Sequence, residues 1–277
     1  MNKWKLIMAS TLALAASFAA ANEDAILSIE GQAIPVRASV QSHTPELDEI
    51  RSGWTFRISE TQDLQRDDFD NPAFVFVDQG IDLFDKIDGT AGKSCSSCHS
   101  EMNSFKGLRA SMPRIANGKI ETMEDLINGC RTERMGAEAW KWSSSNMTAV
   151  TALIGLESRG MPISVKMVGE ASNFWQKGKE IYYARVGQLD MSCANCHEEN
   201  YGNMIRADHL SQGQINGFPT YRLKNAKLNS IHARFKGCMK NIRATPYKEG
   251  GPEFRALELY LASRGNGLSV ETPSVRN

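Results

Sequence analysis

Two short runs in this 277-residue chain, Cys95-Ser-Ser-Cys98-His99 and Cys193-Ala-Asn-Cys196-His197, have types and spacing suited to one kind of chemistry. In C-x-x-C-H the two thiols reach the two vinyl groups of one haem, and the adjoining histidine comes up beneath the iron as proximal ligand. An isolated C-x-x-C is read first as a thioredoxin-like redox pair. Two copies, each followed by histidine, point instead to c-type haem. Two haems would then be attached through Cys95, Cys98, Cys193 and Cys196, with His99 and His197 on their irons.

The ligand opposite each iron decides the chemistry. Electron carriers usually place methionine there, and Met135, Met161, Met204 and Met239 are candidates; His209 and His232 are weaker ones. His43 lies far from both motifs and has no evident chemical role. Two further cysteines remain, Cys130 in NGCRTERM and Cys238 in KGCMKNIR, each following a glycine beyond its own C-x-x-C-H run. The bland reading of two spare thiols in an exported protein is one disulfide.

The wider pattern weighs against that reading. Gly80 lies fifteen residues before Cys95, and Gly178 fifteen before Cys193; QGIDLFDK precedes the first motif and KGKEIYYA the second. LESRGMPISV at 156–165 also matches LASRGNGLSV at 261–270. Such matches indicate an internal duplication of a length unlike any solenoid repeat. The fold expected is mainly α: two tandem cytochrome c-like haem domains at 71–168 and 169–277, the second carrying the active-site haem, behind an N-terminal extension at 22–70. In tandem domains Cys130 and Cys238 should each face their own haem as distal thiolate, out of disulfide reach of one another.

Helices must position these residues. Asn71-Pro72 reads as a start signal, with Phe76, Gly80, Leu83 and Phe84 along one face. Val150, Leu153, Ile154 and Leu156 make a second apolar stripe ending at Gly160. Pro252 opens its counterpart, with Phe254, Leu257 and Leu261 on the face and Gly265 at the end. In the extension, AIPVRASV reads as strand and TPELDEIRSGW as an acidic, polar helix.

MNKWKLIMASTLALAASFAAAN has the basic start, apolar run and Ala19-x-Ala21 end of a secretory signal peptide over 1–21. No later segment is apolar enough to span a bilayer, so the mature protein is expected in the periplasm without a membrane span. Lys+Arg and Asp+Glu are both 32, and loss of Lys3 and Lys5 leaves 30 basic residues, a net charge of about −2. That balance gives no reason to expect nucleic acid as partner.

A thiolate above iron makes a haem hard to reduce, which suits a sulfur-handling site better than an electron carrier. Around Cys238 stand Arg234, Lys236, Lys240 and Arg243, with Arg264 expected to return through the last helix. Guanidinium groups bind sulfonate-type oxygens in bidentate fashion; the plain alternative is a solvated basic face. Cys130 has Arg131 and Arg134 but also Glu133 and Glu138, a less cationic setting.

The paired motifs, the two late cysteines and above all RFKGCMKNIRATPY resemble the SoxA family, dihaem cytochrome subunits of the SoxAX sulfur-oxidation complex. Monohaem members of that family lack the first C-x-x-C-H, which is intact here. The resemblance implies an L-cysteine S-thiosulfotransferase that joins thiosulfate to a cysteine of the SoxYZ carrier and passes electrons to the partner cytochrome SoxX. It implies Cys238 as distal ligand and catalytic cysteine, often carried as a persulfide, Cys130 as distal ligand of the first haem, and Arg234 as active-site arginine. Arg243 and Arg264 carry over less directly. The rival readings are a dihaem thiosulfate dehydrogenase forming tetrathionate, a dihaem peroxidase, and a non-enzymatic two-haem electron carrier.

Overall fold

The computed structural model describes residues 24–277, so the leader at 1–21 lies outside the described residues. The helices are α1 (Ser59–Asp63), α2 (Phe74–Asp85), α3 (Met123–Gly129), α4 (Ser145–Leu156), α5 (Ser172–Tyr183), α6 (Cys193–His197), α7 (Ile231–Asn241) and α8 (Pro252–Arg264). Short strands join them: β1 (Ser28–Ile29) with β2 (Gln32–Ala33), β3 (Arg37–Ala38) with β4 (Ile50–Arg51), β5 (Arg114–Ala116) with β6 (Lys119–Glu121), and β7 (Met204–Ile205) with β8 (Asp208–His209). The remaining sheet is β10 (Lys227–Asn229), β9 (Thr220–Arg222) and β11 (Ser274–Arg276), antiparallel on one side of β9 and parallel on the other.

Two helix pairs organise the core: α2 packs on α4, and α5 on α8. Asn71 starts α2 as its sequence suggests, its Oδ1 accepting from Ala73 N–H at 3.0 Å, and the helix proper begins at Phe74. Ser144 and Ser230 cap α4 and α7 by accepting from Met147 and Ala233 N–H. Proline opens α8 where its missing N–H costs nothing. The close approach in both pairs needs glycine. A β-carbon on Gly80 would sit 2.7 Å from the Ala149 carbonyl oxygen, and one on Gly178 would overlap that of Ala256. Val77, Phe84, Ala152 and Leu153 fill the first interface; Tyr182, Phe254, Leu257, Tyr260 and Leu261 fill the second.

The two stretches LESRGMPISV and LASRGNGLSV lie against each other. Gly160 N–H donates to Val270 C=O at 2.9 Å, Ile163 N–H to Leu268 C=O at 2.8 Å, and Val270 N–H to Met161 C=O at 2.9 Å. Beside this seam Arg255 of α8 reaches Asp125 of α3 at 2.6 Å, and His232 of α7 stacks on Trp142 with ring centroids 5.4 Å apart. Buried Glu124 faces Glu258 and His232 there, with the Arg109 guanidinium as the neighbouring cation.

The extension departs from expectation in one respect. Residues 44–54 form turns, strand β4 and a 3-10 turn at Gly53–Phe56, not a polar helix. Leu47 and Ile50 are buried, and β4 takes its hydrogen bonds from β3 instead of from its own chain. The extension keeps a small core of Leu27, Ile29, Ile34, Val36 and Trp54, and holds the rest through Arg159–Asp68 and Arg264–Glu46 contacts. Among the described residues no helix is long and apolar enough to cross a membrane.

Two outcomes follow from the packing. Gly178→Ala should lower stability by about 1–3 kcal/mol, since a methyl must force α5 off α8, and more than Gly80→Ala does; equal thermal melting of both variants and wild type contradicts this. Burial first, then Glu258, pushes the Glu124 carboxyl up to about 7 against the opposing pull of His232. The folded chain therefore holds this proton more tightly than the unfolded chain, and the contribution is lost as pH rises through about 7. Glu124→Gln, which cannot ionise, should gain melting temperature over wild type at about pH 8 but not at about pH 5; a difference independent of pH contradicts it.

Candidate functional site: two cysteine turns and a cluster of arginines

Each C-x-x-C-H run is wound into a single turn by a reciprocal cap. Ser192 N–H donates to Asn195 Oδ1 at 2.9 Å, while Asn195 N–H donates to Ser192 Oγ at 3.3 Å, closing the box that starts α6. Ser94 and Ser97 do the same ahead of His99, at 3.0 and 3.2 Å. The turn sets both thiols of a run on one side with the histidine following. His197 donates Nδ1–H to Ser211 C=O at 2.7 Å, which leaves Nε2 as the ring atom that could bind a metal. Gly213, at φ +74°, passes so near that a β-carbon would lie 2.9 Å from the His197 ring. His99 has the Phe105 ring beside it at 4.9 Å.

All six cysteines are free thiols, and the two late ones sit apart, each against its own motif. Cys130 opens a π-helical turn, Cys130–Arg134, that prolongs α3, and is close enough to Cys95 and Cys98 to interact electrostatically with both. Cys238 stands on α7 against His197, Cys193 and Cys196. No disulfide joins Cys130 to Cys238.

The two sulfurs have opposite electrostatics. Burial pushes the Cys130 thiol up, and Arg134 opposes it only in part. At Cys238 burial also pushes upward, but Arg234, His197 and Arg222 outweigh it and bring the thiol down to about 7. Arg234 lies one helical turn before Cys238 on α7; Arg222 ends β9. Arg57 and Arg276 close the cluster. The Arg57 guanidinium is lowered to about 9 by burial and then by Arg276, Arg234 and Arg222. Arg57 pairs with Asp208, and Arg276 with Glu271 at 2.7 Å. Among the described residues no Asp or Glu lies at ion-pair distance from Arg222 or Arg234, and Arg222 Nε donates to the main-chain oxygen of Asn277 at 2.9 Å, which leaves Arg234 as the guanidinium without such a partner. The site therefore carries uncompensated positive charge beside one sulfur, the setting that draws in an anion.

Sequence proximity found Arg234 but not Arg57, Arg222 or Arg276, which come from three distant segments with no pattern linking them to Cys238. Arg243 lies elsewhere, exposed on the lip of an open cavity of about 410 Å³ that Met239 and Tyr247 also line. Arg264 is fully buried beneath the second motif, paired with Glu46 at 2.6 Å and Glu198 at 2.7 Å and set over the Tyr182 ring. Lys236 pairs with Glu249 at 2.8 Å. Of the other candidate ligands, His232 accepts at Nδ1 from Gly250 N–H at 2.9 Å and is buried with Nε2 3.1 Å from a Glu258 oxygen, away from both motifs. His43 contacts Ser263 C=O, and Met204 is exposed in β7.

The residues fit covalent haem. Both motifs place two thiols and a histidine on one capped turn, and with Nδ1 of His197 held by Ser211 its Nε2 is the ring atom that meets Cys238. Comparison with known proteins agrees. Residues 79–163, which include the first motif, match the family model described as SoxA/TsdA, cytochrome c domain. The chain is 55% identical over 262 residues to the L-cysteine S-thiosulfotransferase subunit SoxA of Rhodovulum sulfidophilum, covering 93% of this chain and 91% of that one. It is likewise 55% identical to the protein so named from Paracoccus pantotrophus, over 96% of this chain and 94% of the other. The crystal structure of SoxXA from P. pantotrophus superposes with a TM-score of 0.88 at 54% identity, over 91% of this chain and 97% of that one. With identity this high from the extension through both cysteine turns to the last helix, the chain belongs to the SoxA family.

Proposed function

We propose that this chain is the dihaem subunit of an L-cysteine S-thiosulfotransferase, joining thiosulfate to a cysteine of a SoxYZ-type carrier and passing electrons to a SoxX-type cytochrome in the periplasm. The observation that carries the reading is Cys238 held against His197 with the guanidinium groups of Arg234 and Arg222 beside it. The curated relatives that match most of the chain bear the transferase name, and the superposed crystal structure is of a SoxXA complex. The domain layout we propose is an extension at 22–70 and duplicated haem domains at 71–168 and 169–277. The glycine contacts of the two helix pairs and the pairing of the two SRG stretches support it.

The first haem would be held by Cys95 and Cys98, with His99 and Cys130 as the residues that would bind its iron. The second would be held by Cys193 and Cys196, with His197 and Cys238 as the residues that would bind its iron. When bound, the haem supplies a one-electron acceptor next to the reacting sulfur. The chain does the rest. Arg222 and Arg234 bind the sulfonate oxygens of thiosulfate and direct its outer sulfur toward Cys238. Positive charge beside Cys238 keeps that sulfur anionic near neutral pH, and a persulfide there would benefit in the same way. In the net reaction the S–H bond of the carrier cysteine breaks and an S–S bond to the outer sulfur of thiosulfate forms. One proton and two electrons leave, the electrons toward the partner cytochrome. Arg243 and Arg264 lie outside this contact set; Arg264 supports the turn from below through Glu198.

The SoxA/TsdA description of the family model keeps tetrathionate formation as the second reading, and product analysis with and without carrier separates the two. Cys238→Ala should retain both haems by mass yet lose conjugation by more than about a hundredfold; full activity would rule the proposal out. Arg222→Ala should lower kcat/KM for thiosulfate by roughly 10- to 100-fold, the worth of one charged hydrogen bond. An unchanged value removes Arg222 from the site.

A further inference from the structure

The loop 208–213 carries the carbonyl that orients His197, and the N-terminal segment holds that loop on both sides of Ser211. On one flank, Gln212 is buried, and its amide bridges the edge of β4 twice. Its Oε1 accepts from Arg51 N–H at 2.7 Å, and its Nε2 donates to Glu49 C=O at 2.9 Å. On the other flank, Arg57 donates through Nη2 to His209 C=O at 2.5 Å and pairs with Asp208. Between them Gly53 turns its α-carbon toward Ser211, so that a β-carbon would lie 3.8 Å from Ser211 Oγ. Gly213 N–H donates to that same Oγ at 3.3 Å. A loop carbonyl fixed at one end could swing away; this one is tied at residues 208, 209 and 212.

The first motif has no counterpart. Among the described residues no hydrogen bond to either ring nitrogen of His99 is found, and its ring rests on Phe105. Two histidines that look alike in sequence thus sit in unlike surroundings. A ring that donates Nδ1–H to a fixed carbonyl is both locked in plane and a stronger electron donor through Nε2.

We propose that residues 49–57 of the N-terminal segment belong to the outer sphere of the second haem, with Gln212 and Arg57 as positioning residues that hold the Ser211 carbonyl on His197. The segment then tunes one haem and leaves the other alone. This rests on His197 being the proximal ligand, which the unmodified protein tests by itself: without it, no second low-spin signal from a histidine-bound haem is present to be shifted.

Gln212→Met keeps the side chain's bulk and removes both bonds to β4. In the full-length holoprotein, the second haem's paramagnetic resonance signal should shift and broaden and its midpoint potential should rise, the first haem's staying in place. Turnover should fall about tenfold with little change in KM. A variant that melts like wild type with both signals and both potentials unchanged overturns the proposal. Should Gln212→Met fail to accumulate, the unmodified protein decides. The Nδ1 proton of His197, followed by NMR in deuterated water, should exchange at least about ten times more slowly than that of His99. Equal exchange overturns the proposal as well.

Discussion

A half-buried sulfur that must stay charged is the constraint on which the second half of the chain depends. Burial alone drives the Cys238 thiol toward its neutral form, and Arg234, the hydrogen bond and charge of His197, and Arg222 reverse that. One arginine comes from the same helix a turn earlier, another from the end of β9, and Arg57 and Arg276 stand behind them. Bringing several guanidinium groups together is itself costly, as the lowered Arg57 shows. Asp208 and Glu271 offset part of that repulsion, Asn277 holds Arg222 through Nε, and Arg234 is left to face an anion beside the sulfur. The parallel strand β11 returns the C-terminus to β9 and so sets Arg276 and Arg222 side by side.

The first motif shows what the same framework looks like without that charge. Its turn is capped in the same way and its late cysteine again lies against its own C-x-x-C, yet Cys130 is pushed up, not down. Arg131 is spent on Asp88 and on the face of Trp140, which leaves Arg134 as the one opposing cation among the charges acting on Cys130. A sulfur in this setting has less positive charge beside it to draw in an anionic substrate. The two cysteine turns thus stand in unlike sites, and the difference lies in which arginines are already paired.

Much of this was legible in the sequence, for identifiable reasons. The spacing of Gly80 and Gly178 to their motifs is visible because close helix contact tolerates no side chain there. Proline and glycine mark the ends of α8 by their backbone limits. Cys238 and Arg234 could be linked because four residues make one helical turn. Arg57, Arg222 and Arg276 could not, since only the tertiary fold brings them together. The acidic stretch at 44–54 misled because its polar pattern suits a helix, while the burial of Leu47 and Ile50 and the bond from Arg51 to Gln212 favour an extended chain. Arg264 was expected at the substrate; its charge is instead consumed by Glu46 and Glu198.

The central claim is that Cys130 and Cys238 each serve as a haem ligand, and that positive charge outweighs burial only at Cys238. Electron paramagnetic resonance of the oxidised holoprotein tests it most directly, because thiolate-ligated low-spin haem has a narrow spread of g values. The account predicts two such signals, the second of which is lost in Cys238→Ala. A broad histidine–methionine spectrum at either haem, or a second signal indifferent to the loss of Cys238, would contradict it.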